Sequence, residues 1–80
     1  MKLPREISGE ELSALLKKYG YIMTRQTGSR MRLTTTVHGE HHITIPAHDP
    51  LKVGTLAAIL GDVATHTKID REELLRRLFG

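Results

Sequence analysis

The chain has no cysteine, which excludes a disulfide framework and any thiolate metal site. Long hydrophobic runs are missing as well. No segment approaches the length needed to cross a bilayer, and the N-terminal MKLPREISGE has no apolar stretch like that of a signal peptide. The expected compartment is therefore the cytoplasm, with no membrane partner. Low-complexity segments and internal repeats are absent. Neither sign of charge dominates: 12 Lys and Arg stand against 9 Asp and Glu, a net +3 with a pI near 9.6. So small a surplus does not by itself argue for nucleic acid. Placement says more. Glu10, Glu11, Glu72 and Glu73 fall at expected helix starts, whereas Arg25, Arg30 and Arg32 crowd one short hairpin.

The 80 residues suffice for one domain, expected to span 1–80, with a modest core in which each apolar position counts. Ser8-Gly9-Glu10-Glu11 is a capping box: the serine oxygen serves an orphan N–H while Glu11 reaches back. Ile7 and Leu12 form the accompanying hydrophobic staple. Leu12, Leu15, Leu16 and Tyr19 recur at i, i+3, i+4 and i+7, an apolar stripe that needs a partner surface. Gly20 can take the left-handed conformation that ends the helix.

Residues 21–46 read as three antiparallel strands. Tyr21 to Gln26 leads through a turn at Thr27-Gly28-Ser29 into Arg30 to Thr36. Val37-His38-Gly39 suits a three-residue hairpin loop. That loop sets Leu33 opposite Ile43 and Met31 opposite Ile45, giving one apolar face. Arg30, Arg32, Thr34, His42 and Thr44 then share the other. The first hairpin admits two registers. A two-residue loop sends Ile22 and Thr24 inward with Met23 and Arg25 outward; a three-residue loop reverses this. The first is preferred, because an unpaired buried arginine is costly.

After a connector at 46–52, a helix starting near Gly54 carries Leu56, Ile59, Leu60 and Val63 at helical spacing. Asp70-Arg71-Glu72-Glu73 opens another, whose narrow apolar face is Leu74, Leu75 and Leu78. The expected class is α+β, ordered α-β-β-β-α. A three-stranded antiparallel sheet holds two helices on one face, with a short third helix at the C-terminus.

Chemistry has few candidates. Among the five histidines, His38, His41 and His42 gather at one hairpin, but neighbouring strand residues point to opposite faces. There is no helical H-x-x-x-H pair, so exposed hairpin histidines are the simpler reading and no metal or other cofactor is expected. No serine has an evident histidine partner, and the acids already have capping roles. Arg30 and Arg32 project from one strand face roughly 6.5–7 Å apart. That spacing matches successive phosphates along a nucleic-acid strand, although a solvated basic face that discourages edge pairing has the same appearance. Lys52-Val53-Gly54-Thr55 can present helix N-terminal amides and a lysine to a phosphate, or simply start the helix.

Taken in order, Lys18-Tyr19-Gly20-Tyr21, Arg25-Gln26-Thr27-Gly28-Ser29, His42-Ile43-Thr44-Ile45-Pro46 and Leu51-Lys52-Val53-Gly54-Thr55-Leu56 resemble the HicA toxin family. The likeness runs over about residues 3–66, leaving about 68–80 as an extension. It implies a double-stranded-RNA-binding-domain-like fold and a metal-independent mRNA endoribonuclease, an mRNA interferase, held inactive by a HicB-type antitoxin. In that family the Gly-Ser dipeptide of the first hairpin is followed by the catalytic histidine. Here Gly28-Ser29 is followed by Arg30. Arginine keeps its proton at neutral pH, so it can bind phosphate but cannot exchange a proton usefully. RNA binding with weakened cleavage is the expectation. Arg30 takes the catalytic position, and Arg25, Gly28, Ser29, Arg32, His42 and Lys52 are the expected RNA contacts. His42 is an alternative proton carrier, since it is expected on the same face as Arg30.

Overall fold

A computed structural model describes residues 3–80. Its first helix, α1 (Gly9–Leu16), begins as the capping box requires. The Glu11 N–H donates to Ser8 Oγ at 3.0 Å and the Ser8 N–H donates to Glu11 Oε1 at 3.1 Å. A 3₁₀ turn (Lys17–Tyr19) follows, and Gly20 closes it at φ 84°, the left-handed region that suits glycine. Strands β1 (Ile22–Thr27), β2 (Arg30–Thr35) and β3 (His41–Pro46) form an antiparallel sheet in chain order. Two helices complete the chain, α2 (Val53–Thr67) and α3 (Arg71–Phe79), the latter capped by Asp70. The fold is α+β, α-β-β-β-α with a short additional helix, as in double-stranded-RNA-binding domains.

One core lies between the sheet and the helices. From the sheet come Met31, Leu33, Ile43 and Ile45; from α1, Leu12 and Leu16; from α2, Leu56, Ile59, Leu60 and Val63. Leu74, Leu75 and Leu78 of α3 join the same cluster, so the C-terminal helix shares this core. The β2–β3 register is the one the apolar alternation predicts, with Met31 opposite Ile45 and Leu33 opposite Ile43. Arg32 consequently faces Thr44, and Thr34 faces His42, on the side no helix covers. His38 and Gly39, at φ 62° and 99°, turn the chain between these strands.

The first hairpin departs from the sequence reading. Its loop is the two residues Gly28-Ser29, because Thr27 pairs with Arg30, and Arg25 lies outward opposite Arg32. Ile22 and Thr24, however, do not point inward. A register shift between Met23 and Arg25 inserts Thr24 as an extra residue, the geometry of a β-bulge. Thr24 Oγ1 instead meets Thr34 Oγ1 at 2.9 Å on the open face, and Ile22 pairs with Thr34 and stays exposed. Every residue of β1 is exposed. With neither side of this edge strand buried, no apolar alternation constrains which way its side chains face.

Candidate nucleic-acid interface

The sheet's open side is built by β-strand parity. Arg30 and Arg32 alternate with buried Met31 and Leu33, so the side that buries the apolar residues must expose the arginines. The tight Gly28-Ser29 loop then brings Arg25 back across from Arg32. Gly28 sits at φ 58°, where its missing Cβ removes the strain of the left-handed turn. Arg25, Arg30 and Arg32, with Thr27 and Thr44, line a shallow depression of about 220 Å³.

Like charges directly opposite on neighbouring strands are destabilising, yet Arg25 and Arg32 occupy such a pair. Among the described residues, none of the three guanidinium groups has an ion pair or hydrogen bond to another side chain. Three unpaired forks on two adjacent strands form a concentrated anion-seeking surface.

Arg30 also borders a second cleft, of about 310 Å³, with Ser29, Thr44, Pro46, His48 and Thr55. This cleft joins the end of β3 to the first turn of α2. Its floor is held by backbone bonds. The Ala47 N–H donates to Ser29 O at 2.6 Å, and the Gly9 N–H donates to His48 O at 2.9 Å. The Leu51 N–H donates to Ile7 O at 2.8 Å. Segment 47–51 is thus strapped between the β2 entry and the start of α1. A larger depression of about 640 Å³ lies along α3, but its Glu73 is paired with Arg76 and Arg77 on the same helix.

Residues 9–64, well over half of the chain, match the family model for the HicA toxin of bacterial toxin–antitoxin systems. The chain belongs to the HicA toxin family. It is therefore the toxin component of a toxin–antitoxin pair, with an antitoxin as its partner. No curated protein and no solved structure matches it.

The toxin's remaining candidate residues are dispersed. His42 is on the open face, but it lies opposite Thr34, four residues along β2 from Arg30 and roughly 13 Å by strand rise. Both of its ring nitrogens are engaged. Nδ1 lies 2.7 Å from Thr34 Oγ1, and Nε2 lies 2.7 Å from Glu40 Oε2. With the ring neutral, the hydroxyls of Thr24 and Thr34 can donate in sequence to Nδ1 while Nε2–H donates to Glu40. His42 is a member of a surface hydrogen-bond chain. Lys52, exposed at the N-cap of α2, lines neither depression and makes no side-chain cap.

Two more histidines serve the other side of the sheet. The His41 ring stacks on His66 at 4.4 Å between centroids. His41 Nδ1 meets the Tyr21 hydroxyl at 2.8 Å, and its Nε2 lies 3.5 Å from Asp62 Oδ1. His66 Nε2–H donates to Val37 O at 3.0 Å, tying α2 to the β2–β3 loop. Burial, and secondarily the negative charge of Asp62, pushes the Tyr21 hydroxyl up to about 12. Among the described residues, no three metal-ligating side chains converge. His48, which lines the same cleft as Arg30, is a candidate residue that sequence reasoning passed over. The signal existed: continuing the β2–β3 register beyond Pro46 sets Ala47 across from Ser29 and keeps residue 48 in step with 42 and 44.

Proposed function

We propose that this toxin acts on mRNA, holding the ribose–phosphate chain across its open sheet face through Arg25, Arg30 and Arg32. The observation that carries the reading is the opposed, unpaired Arg25–Arg32 pair with Arg30 beside it. Such a cluster is unfavourable alone and is relieved by an anion. The family resemblance supplies the reaction class, endonucleolytic cleavage of mRNA, and names a HicB-type protein as the antitoxin.

Arg30 occupies the place where the resemblance expects a proton-exchanging histidine. Its guanidinium stays charged, so it can fix a phosphate and offset the charge that builds up on it, but it moves no proton. Cleavage is accordingly weakened while affinity remains. Arg30→His is expected to raise cleavage of a structured mRNA by about 10²–10⁴-fold. No gain would mean that residue 30 is not the catalytic position.

A second reading rests on β1, a wholly exposed edge strand with Ile22 and Met23 half or more exposed. Such an edge suits docking by the antitoxin, and the open face would then serve protein binding alone. Arg32→Ala separates the two. Weakened antitoxin binding with unchanged RNA binding favours this second reading.

A further inference from the structure

Arg30, at the start of β2, and His48, just past the end of the neighbouring β3, line the same cleft of about 310 Å³. We infer that His48 is a catalytic residue, the proton acceptor for the residual RNA cleavage of this chain, with Arg30 as the phosphate holder beside it. The inference rests on the RNA-cleaving reading above and names a residue to which that reading assigns no part.

Three observations support it. His48 has an exposed side chain, and no hydrogen bond or ion pair occupies its ring among the described residues, in contrast to His41, His42 and His66. Its backbone is fixed, because its carbonyl accepts from the Gly9 N–H and the preceding Ala47 N–H is bonded to Ser29 O. That fixation depends on close packing: a Cβ at Gly9 would run into the Pro46 carbonyl. The cleft is also lined by the hydroxyl-bearing Ser29, Thr44 and Thr55 together with Arg30, a set suited to one ribose and its 3′-phosphate.

The step balances without a further reactant. An imidazole nitrogen of His48 takes the proton of the ribose 2′-hydroxyl as the 2′-oxygen bonds to phosphorus. The P–O5′ bond breaks, and the departing 5′-oxygen takes a proton from water. The products are a 2′,3′-cyclic phosphate and a 5′-hydroxyl end, and the imidazolium returns its proton to solvent. Imidazole is the side chain suited to this exchange near neutral pH. Arg30 offsets the charge developing on the non-bridging oxygens.

The test uses the full chain, a 5′-labelled mRNA transcript containing paired and unpaired stretches, and two readouts, cleavage rate and RNA affinity. His48→Gln is expected to lower cleavage by about 10²-fold or more while affinity and melting temperature hold. His48→Asn should behave alike, and His38→Gln, in the exposed turn, should cut as the native chain does. Unchanged cleavage in His48→Gln overturns the inference, and so does loss of RNA affinity along with cleavage. If the native chain binds RNA without cutting and Arg30→His cuts, His48 has no catalytic part while the mRNA reading survives. If no form binds or cuts RNA, that reading itself fails.

Discussion

Removing Arg32 is expected to change the salt dependence of RNA binding by a defined amount. Arg25, Arg30 and Arg32 line one depression and make no ion pair among the described residues, so each is free to neutralise one phosphate. For single-stranded nucleic acid, the logarithm of affinity falls against the logarithm of salt by about 0.7 per phosphate neutralised, so three contacts give a slope of about −2.1. Arg32→Ala leaves two contacts and a slope of about −1.4. Raising salt from about 50 to about 200 mM then weakens the native chain about 18-fold and the variant about 7-fold. Fluorescence anisotropy with a short labelled single-stranded RNA over a salt series reads both slopes. Arg71→Ala removes the same charge from α3, on the opposite side of the sheet, and serves as the comparison. Equal slopes for the native chain and Arg32→Ala, or an equal decrement in Arg71→Ala, would refute the open-face argument. Arg32→Ala also relieves the opposition to Arg25, so its melting temperature should not fall.

Two glycines should respond in opposite directions. Gly9→Ala forces a Cβ into the Pro46 carbonyl and should destabilise by about 1–3 kcal/mol, whereas Gly61→Ala, within α2 and with open space around it, should stabilise by about 0.5–1 kcal/mol; urea unfolding measures both. The tyrosines differ similarly. The Tyr19 hydroxyl is buried without a partner, so Tyr19→Phe should stabilise by about 1 kcal/mol, while Tyr21→Phe loses the bond to His41 and should cost about 1 kcal/mol. Alkaline pH gives a separate readout for Tyr21. Its folded value, about 12, lies above the ordinary tyrosine value of 10.0, so its protonated form is favoured by folding. That contribution is complete below pH 10 and is lost as pH rises towards 12, at no more than about 1.4 kcal/mol per pH unit. The difference between native and Tyr21→Phe stabilities should therefore shrink across this range; a constant difference would count against the burial argument.

Much of the scaffold was open to inspection residue by residue. The α1 start follows from Ser8 and Glu11, whose capping is a local exchange of hydrogen bonds complete within four residues. The β2–β3 register follows from Met31, Leu33, Ile43 and Ile45, because a slip by one residue would bury Thr44 and expose the apolar set. Arg30, Arg32 and His42 reach the open face by the same parity. β1 offered no such constraint. Its bulge at Thr24 answers to pairing with β2 and to the Thr24–Thr34–His42 hydroxyl chain, which involve residues eight or more positions away.

Sequence alone determined the order of elements, the capping, the inner register and the basic character of one sheet face, since each depends on neighbours in the chain or on a two-residue period. Tertiary structure decided which titratable groups meet. It separated His42 from Arg30 along the strand, joined His41 to Tyr21, Asp62 and His66, and strapped His48 into the cleft beside Arg30. The last of these depends on how the connector at 47–51 is pinned between Ser29, Ile7 and Gly9, contacts that span the chain and have no local period to announce them.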